Sequence, residues 1–188
     1  MALQTASPKT ETLVTGDELL AMGDIGPCEL LEGRIVPMSP TGGKHAIFEL
    51  NFGEFLKSFV KRNELSRVMV GEVGVYIRRS PDTIRAADVA YVSNERYARW
   101  QKTGFLDVAP DLVVEILSPD DRWGEVTSKL RDYFSIGVRL VWVADPDTKT
   151  VYSHRSLTDV REFTDKDTLP GDDVLPGFSV PVAILFEE

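Results

Sequence analysis

Residues 109–119 read Ala109-Pro110-Asp111-Leu112-Val113-Val114-Glu115-Ile116-Leu117-Ser118-Pro119. The run Leu112 to Leu117 is the densest apolar stretch in the chain, bounded by Pro-Asp on one side and Ser-Pro-Asp on the other. It has the length of a strand and the composition of one buried on both faces. A helical pattern follows over about 123–136, where Val126, Leu130, Tyr133 and Phe134 form the apolar stripe and Gly137 is a natural C-terminal cap. A second apolar strand is expected at Val138 to Val143. Strand, helix, strand at these lengths is a βαβ unit, with parallel strands and a right-handed connection.

The flanks extend this unit. Before it, Ile84 to Val92 reads as a strand, residues 67–78 as a strand or hairpin, and Asn94 to Gln101 as a short surface helix. Ile47, Phe48, Phe52, Phe55, Leu56, Phe59 and Val60 recur at helical spacing over about 44–62. Cys28–Leu31 and Arg34–Met38 read as a hairpin turning at Glu32-Gly33. Thr15 and Glu18 form a capping-box pair that opens a short helix ending near Gly23. After the unit, Asp145-Pro146-Asp147 turns into a strand around Val151-Tyr152, and the tail ends in the apolar segment 182–186. Residues 1–14 read as a flexible arm and 15–188 as one domain. The fold class expected is α/β.

Composition narrows the function classes. The 188 residues are 43% hydrophobic and 27% charged, which suits a globular core and argues against a disordered chain. One cysteine, Cys28, excludes an internal disulfide and a Cys-rich zinc site. Two histidines, His45 and His154, exclude a multi-histidine metal centre. No apolar run is long enough to span a membrane and no signal-peptide core is present, so a cytoplasmic protein is expected. The net charge of −9 argues against a protein that coats nucleic acid indiscriminately.

The chemistry is concentrated where charge interrupts apolar strands. Glu115 stands between Val114 and Ile116, and Asp88 shares a strand face with Ile84, Ala86, Ala90 and Val92. A buried carboxylate is costly unless it is paired or binds a cation. Two readings stay open: ion pairs, for Asp88 with Arg85 or Arg78, or a hard-cation site of the kind Mg²⁺ occupies. Asp111 lies too far along its strand to share a cation with Glu115 and reads as a strand-entry residue. Lys129 shares a helix face with Glu125 and Tyr133; it is a solvated lysine unless that face turns toward Glu115. Gly42-Gly43-Lys44-His45 opens the long helix, where Lys44 and His45 are candidates to meet a phosphate, although the segment is not a Walker loop. Glu29 and Glu32 flank the first hairpin, and Glu29 is a candidate substrate contact. Ser118 has no nucleophile elbow around it, so serine hydrolase chemistry is unsupported.

Ordered along the chain, these segments resemble the Uma family of restriction-endonuclease-like proteins, a branch of the PD-(D/E)XK nuclease superfamily. The resemblance spans about residues 12–188. It is carried by residues 28–40, His45, Ala87-Asp88-Val89-Ala90-Tyr91-Val92, residues 109–119, Lys129, Tyr133, Gly137-Val138, residues 142–146 and Leu175-Pro176-Gly177-Phe178. It implies a restriction-endonuclease-like core, a central mixed β-sheet flanked by α-helices, and Mg²⁺- or Mn²⁺-assisted hydrolysis of DNA phosphodiester bonds. Asp88 and Glu115 become the metal ligands, with the Ile116 carbonyl as a third, and a homodimer suits cutting of both strands. Two positions depart from the superfamily pattern. Ala87 replaces the proline before Asp88, and Leu117 stands where a lysine is usual, so Lys129 is expected to substitute. The competing expectations are a catalytically inactive relative serving as a dimeric binding or assembly module, and a metal hydrolase acting on small phosphate esters.

Overall fold

The computed structural model describes residues 12–119 and 121–188. The arm expected at 1–14 therefore falls mostly outside the described residues, as does Asp120. Val14 is already tied in, its N–H donating to the Gly33 carbonyl at 2.8 Å.

Helix α1 (Gly16–Ala21) carries the expected capping box, with Thr15 and Glu18 bonding each other's backbone N–H groups. Strands β1 (Cys28–Leu31) and β2 (Arg34–Pro37) form the hairpin, and Glu32 and Gly33 both take positive φ, as a two-residue turn requires. Helix α2 (Gly43–Arg62) follows, then β3 (Ser66–Arg78), β4 (Thr83–Ser93) and the short α3 (Asn94–Arg99). Residues 67–78 are thus one strand rather than a hairpin. A register shift between Val70 and Val73, where Gly71 and Glu72 take positive φ, bulges it.

The βαβ unit is β5 (Leu112–Ile116), α4 (Trp123–Ser135) and β6 (Leu140–Asp145), with β5 and β6 parallel. The second strand begins two residues later than its apolar run. Val138 and Arg139 instead connect to the helix end and to Asp111, through bonds to the Tyr133 and Asp111 carbonyls. Strands β7 (Thr150–His154) and β8 (Val160–Phe163) continue the sheet antiparallel. Strands β9 (Thr168–Pro170) and β10 (Ser179–Pro181) form a separate pair, and α5 (Val182–Leu185) closes the chain. β8, β9 and β10 were not expected. They are three or four residues long, too short for a period to register.

The main sheet is mixed, mostly antiparallel with one parallel pair, and runs β2-β1-β4-β5-β6-β7-β8 with β3 also on β4. One face packs on α2 and α5: Phe48, Phe52 and Leu56 meet Leu112, Val114, Trp142 and Leu185. The other packs on α4, where Val126, Leu130 and Tyr133 meet Val113, Val141 and Val143. This is the restriction-endonuclease-like α/β core.

One feature of the sheet positions the candidate site. Ile84 of β4 pairs with both Tyr76 of β3 and Leu30 of β1, and Val89 pairs with both Val70 of β3 and Val114 of β5. A strand has two edges, so β3 holds one along its length while β1 and β5 divide the other. Between them, at residues 85–88, that edge of β4 has no neighbouring strand. The sheet forks there.

Candidate active site at the fork in the sheet

A strand edge without a neighbour exposes backbone donors and acceptors that must be satisfied some other way. Here side chains do it. The Ala86 N–H donates to Glu29 Oε1 at 3.0 Å, and Lys129 Nζ donates to the Ala86 carbonyl at 3.3 Å. Asp88 Oδ2 accepts from the Ile116 N–H at 2.6 Å, bridging the two strands. The pairing of Val89 with Val114, carried one residue on, sets Asp88 opposite Glu115. The two interrupting carboxylates of the sequence thus stand side by side at the crotch of the fork.

Glu115 is deeply held. Lys129 Nζ donates to its Oε2 and the Tyr133 hydroxyl to its Oε1, each at 2.6 Å. Burial pushes its pKa up to about 7, with Asp88 adding to the rise while Lys129 and Tyr133 oppose it. Burial works against the Lys129 charge, but Glu115, Glu29 and Asp88 outweigh it, so its pKa lies above the ordinary lysine value. Burial and the adjacent Glu115 likewise raise the Tyr133 phenol well above its usual range. Lys129 is therefore a fixed cation rather than a base.

A second buried network stands behind this one. Arg85 donates to Glu29 Oε2 and Asp132 Oδ2, both at 2.7 Å, and to Ser128 Oγ at 3.0 Å. Glu29 is 3.8 Å from Lys129 Nζ. Neither ion-pair partner considered for Asp88 is taken up: Arg85 serves Glu29 and Asp132, and Arg78 pairs with Glu32 on the surface at 2.7 Å.

Asp88 meets His45 instead, its Oδ1 3.4 Å from Nε2. The other ring nitrogen, Nδ1, is 3.3 Å from Ser118 Oγ. The hydrogen bond to Asp88 raises the His45 pKa against the opposing effect of burial. Ser118, His45 and Asp88 come from three elements 30 or more residues apart, which is why no local pattern around Ser118 announced the contact.

These groups open into a cavity of about 360 Å³, lined among others by Gly42, His45, Asp88, Glu115, Ile116 and Lys129. Two candidates lie outside it. Lys44 turns away to Glu188 at the chain's end. Glu29 is buried and its carboxylate is committed to Arg85 and Ala86, so it is a structural support of the fork rather than a group facing the cavity. Asp111 caps the far end of β5, accepting from the Ser93 N–H at 2.7 Å and lying 3.3 Å from Arg96. Ser128 and Asp132 were missed. Their signal was present, an i, i+4 pair on the α4 face beside Lys129.

Among the described residues no group of three His, Cys, Asp or Glu side chains is gathered for a metal ion. The donor set present is two carboxylates and the Ile116 backbone. The Ile116 N–H points to Asp88, and in a strand a residue's N–H and C=O point the same way, so its carbonyl faces the fork as well. Mg²⁺ is commonly bound through one or two carboxylates, with water and phosphate oxygens completing its shell. The residues fit a cation of that kind and do not fit an all-protein cage. No helix among the described residues is long and apolar enough to cross a membrane.

Comparison with known proteins agrees with this architecture. The chain is similar over 92% of its length, and over 97% of the other chain, to a crystal structure from Anabaena variabilis described as "a putative nuclease belonging to DUF820", with TM-score 0.76 and 24% identity. At that identity the likeness concerns the fold alone. No curated protein matches the chain. The family model described as "Uma2: Putative restriction endonuclease" matches residues 17–183. The chain belongs to the Uma2 family, restriction-endonuclease-like proteins of the PD-(D/E)XK superfamily.

Proposed function

We propose that this protein is a metal-dependent endonuclease hydrolysing DNA phosphodiester bonds at the fork, with Asp88, Glu115 and the Ile116 carbonyl holding Mg²⁺ or Mn²⁺. The observation that carries the reading is the 2.6 Å contact between Lys129 and Glu115. Leu117 removes the lysine usual in the strand, and Lys129 brings an ammonium from α4 to the same carboxylate.

A bound divalent cation would polarise the scissile phosphate and lower the pKa of an attacking water. The chain's own residues do the rest. Lys129, kept charged by Glu115 and Glu29, stabilises the charge that develops on the phosphoryl oxygens. Tyr133 fixes the Glu115 carboxylate from the other side, and the Ile116 N–H does the same for Asp88. His45 stands between Asp88 and Ser118 at the start of α2, placed to contact a substrate phosphate. A duplex has two-fold symmetry, so cutting both strands calls for two copies of the chain.

The test is plasmid cleavage in Mg²⁺ or Mn²⁺ at low salt, wild type against Glu115→Gln. Nicking lost in the variant supports the reading. Calorimetric titration of metal into both proteins is decisive when neither cleaves, because a wild type that binds no cation cannot use this chemistry.

A specific observation favours a second reading, a catalytically inactive relative that serves as a dimeric binding module. Both Glu115 oxygens and one Asp88 oxygen already accept short hydrogen bonds from the protein. That reading expects a stable dimer, no hydrolysis and little stability gain from the cation.

A further inference from the structure

Outside the cavity, chemistry is concentrated once more, in the segment Asn94-Glu95-Arg96-Tyr97-Ala98-Arg99-Trp100-Gln101-Lys102. Three cations and two aromatics occupy nine positions of a chain whose net charge is −9. Arg96 belongs to the fold, since it donates to the Ala109, Pro110 and Gly137 carbonyls and lies beside Asp111. Arg99 and Lys102 do not. Both are exposed, and they are joined by the exposed Arg67 of β3. Among the described residues none of these three is ion-paired with a carboxylate.

Tyr97 organises two of them, Arg67 and Lys102; Arg99, two residues further along α3, faces another side of the helix. The Arg67 guanidinium carbon lies 5.2 Å from the centre of its ring and Lys102 Nζ 5.1 Å. Trp100 is tilted beside it at 5.8 Å, and both aromatics pack on the core cluster under α4. A ring face attracts a cation but accepts few of its hydrogen bonds. The N–H groups are therefore left for an external acceptor, apart from the one Arg67 donates to the Ser66 carbonyl.

We propose that Arg67 and Lys102, held against the Tyr97 ring, form a docking surface for the phosphate backbone of a nucleic acid. In a chain with 30 acidic residues, cations that form no internal pair and are held against a rigid ring suit an external polyanion. Arg67 and Lys102, sharing one ring, are within roughly 10 Å of each other, the rise of about three phosphates on one strand. Arg67 pairs with Val92, four residues along β4 from Asp88, about 13 Å of strand, or the rise of some four base pairs. The identity of the polyanion as DNA rests on the nuclease reading; the charge arrangement does not.

The test is binding of a short fluorescent duplex in EDTA, by anisotropy, over a salt series from about 50 to about 200 mM. The double variant Arg67→Gln/Lys102→Gln is expected to bind about tenfold more weakly at the lowest salt, and to flatten the logarithmic salt slope by about 2. Lys102→Gln alone, at an exposed side chain outside any helix or strand, is expected to flatten it by about 1, and reads the proposal even if the double variant unfolds. Wild-type affinity and slope in Lys102→Gln and the double variant overturn the proposal, and so does a wild type that shows no salt-dependent binding. Loss of the nuclease reading would instead appear as bound but uncut DNA when Mn²⁺ is restored.

Discussion

Lys129 donates to Glu115 across 2.6 Å, joining the middle of α4 to a strand that is buried along its whole length. The contact places a fixed positive charge against the carboxylate most strongly disfavoured by burial. It also couples the stability of the fold to the chemistry of the cavity, and both sides of that coupling can be measured.

Glu115→Gln keeps the shape and removes the charge. With Mn²⁺ at about 100 times its dissociation constant, the wild type is expected to gain roughly 2.7 kcal/mol of stability. The variant is expected to gain little or nothing. Chemical denaturation with and without the cation reads this directly, and equal gains in the two proteins would remove Glu115 from the metal site.

Lys129→Met leaves a buried carboxylate facing an apolar chain. Breaking a buried pair from one side costs about 3–5 kcal/mol. Adding Glu115→Gln to it is expected to recover much of that loss, which a double-mutant cycle would show as a coupling term. Cleavage by Lys129→Met is expected to fall about 100- to 1,000-fold if the ammonium stabilises the phosphoryl charge.

Stability without metal should depend on pH in a defined direction. The Glu115 pKa is raised from 4.5 to about 7, so the native state holds this proton more tightly than the unfolded chain does. The associated stability is complete below about 4.5 and is lost as pH rises through about 7. His45, also raised, acts in the same direction above its ordinary value of 6.5. Cation binding needs the ionised carboxylate, so affinity is expected to climb between about pH 5.5 and 8 while metal-free stability falls. Thermal melts across that range should show the two trends crossing, and Glu115→Gln should flatten both.

Arg85→Met is expected to be among the most damaging single changes. It strips Glu29 and Asp132 of their shared partner inside the fork, at a cost of about 3–5 kcal/mol. Glu29 would then compete for Lys129, 3.8 Å away, and loosen its hold on Glu115. An urea midpoint within error of the wild type would show that the network contributes little.

Much of the architecture was legible because it is written in periodicity. The apolar stripe of α4, the unbroken apolar run of β5 and the capping box of α1 are local patterns, and each element stands where its pattern lies. The one-strand nature of β3 was not legible, because Gly71 and Glu72 interrupt its alternation in the way a turn would. The structure absorbs them as a bulge.

The site was half legible for a related reason. A charge inside an apolar strand is a local anomaly, so Asp88 and Glu115 could be singled out one residue at a time. What each charge faces is not local. From its own helix Lys129 reads as an ordinary lysine, and only the family resemblance points it at Glu115; the ion-pair partners that the sequence offers Asp88 are arginines near it, whereas its neighbour is His45 from the start of α2.

The sequence by itself therefore determined the strand–helix–strand unit and the carboxylates that interrupt apolar strands, each of which depends on spacing within one segment, while motifs ordered along the whole chain carried the family resemblance. Only the tertiary structure decided that β1 and β5 divide one edge of β4, that Glu29 and Lys129 satisfy Ala86 in the gap, and that Lys44 turns away from it. Unsatisfied backbone at a fork is a property of three strands meeting, and no single stretch of chain carries the information about which side chains will reach it.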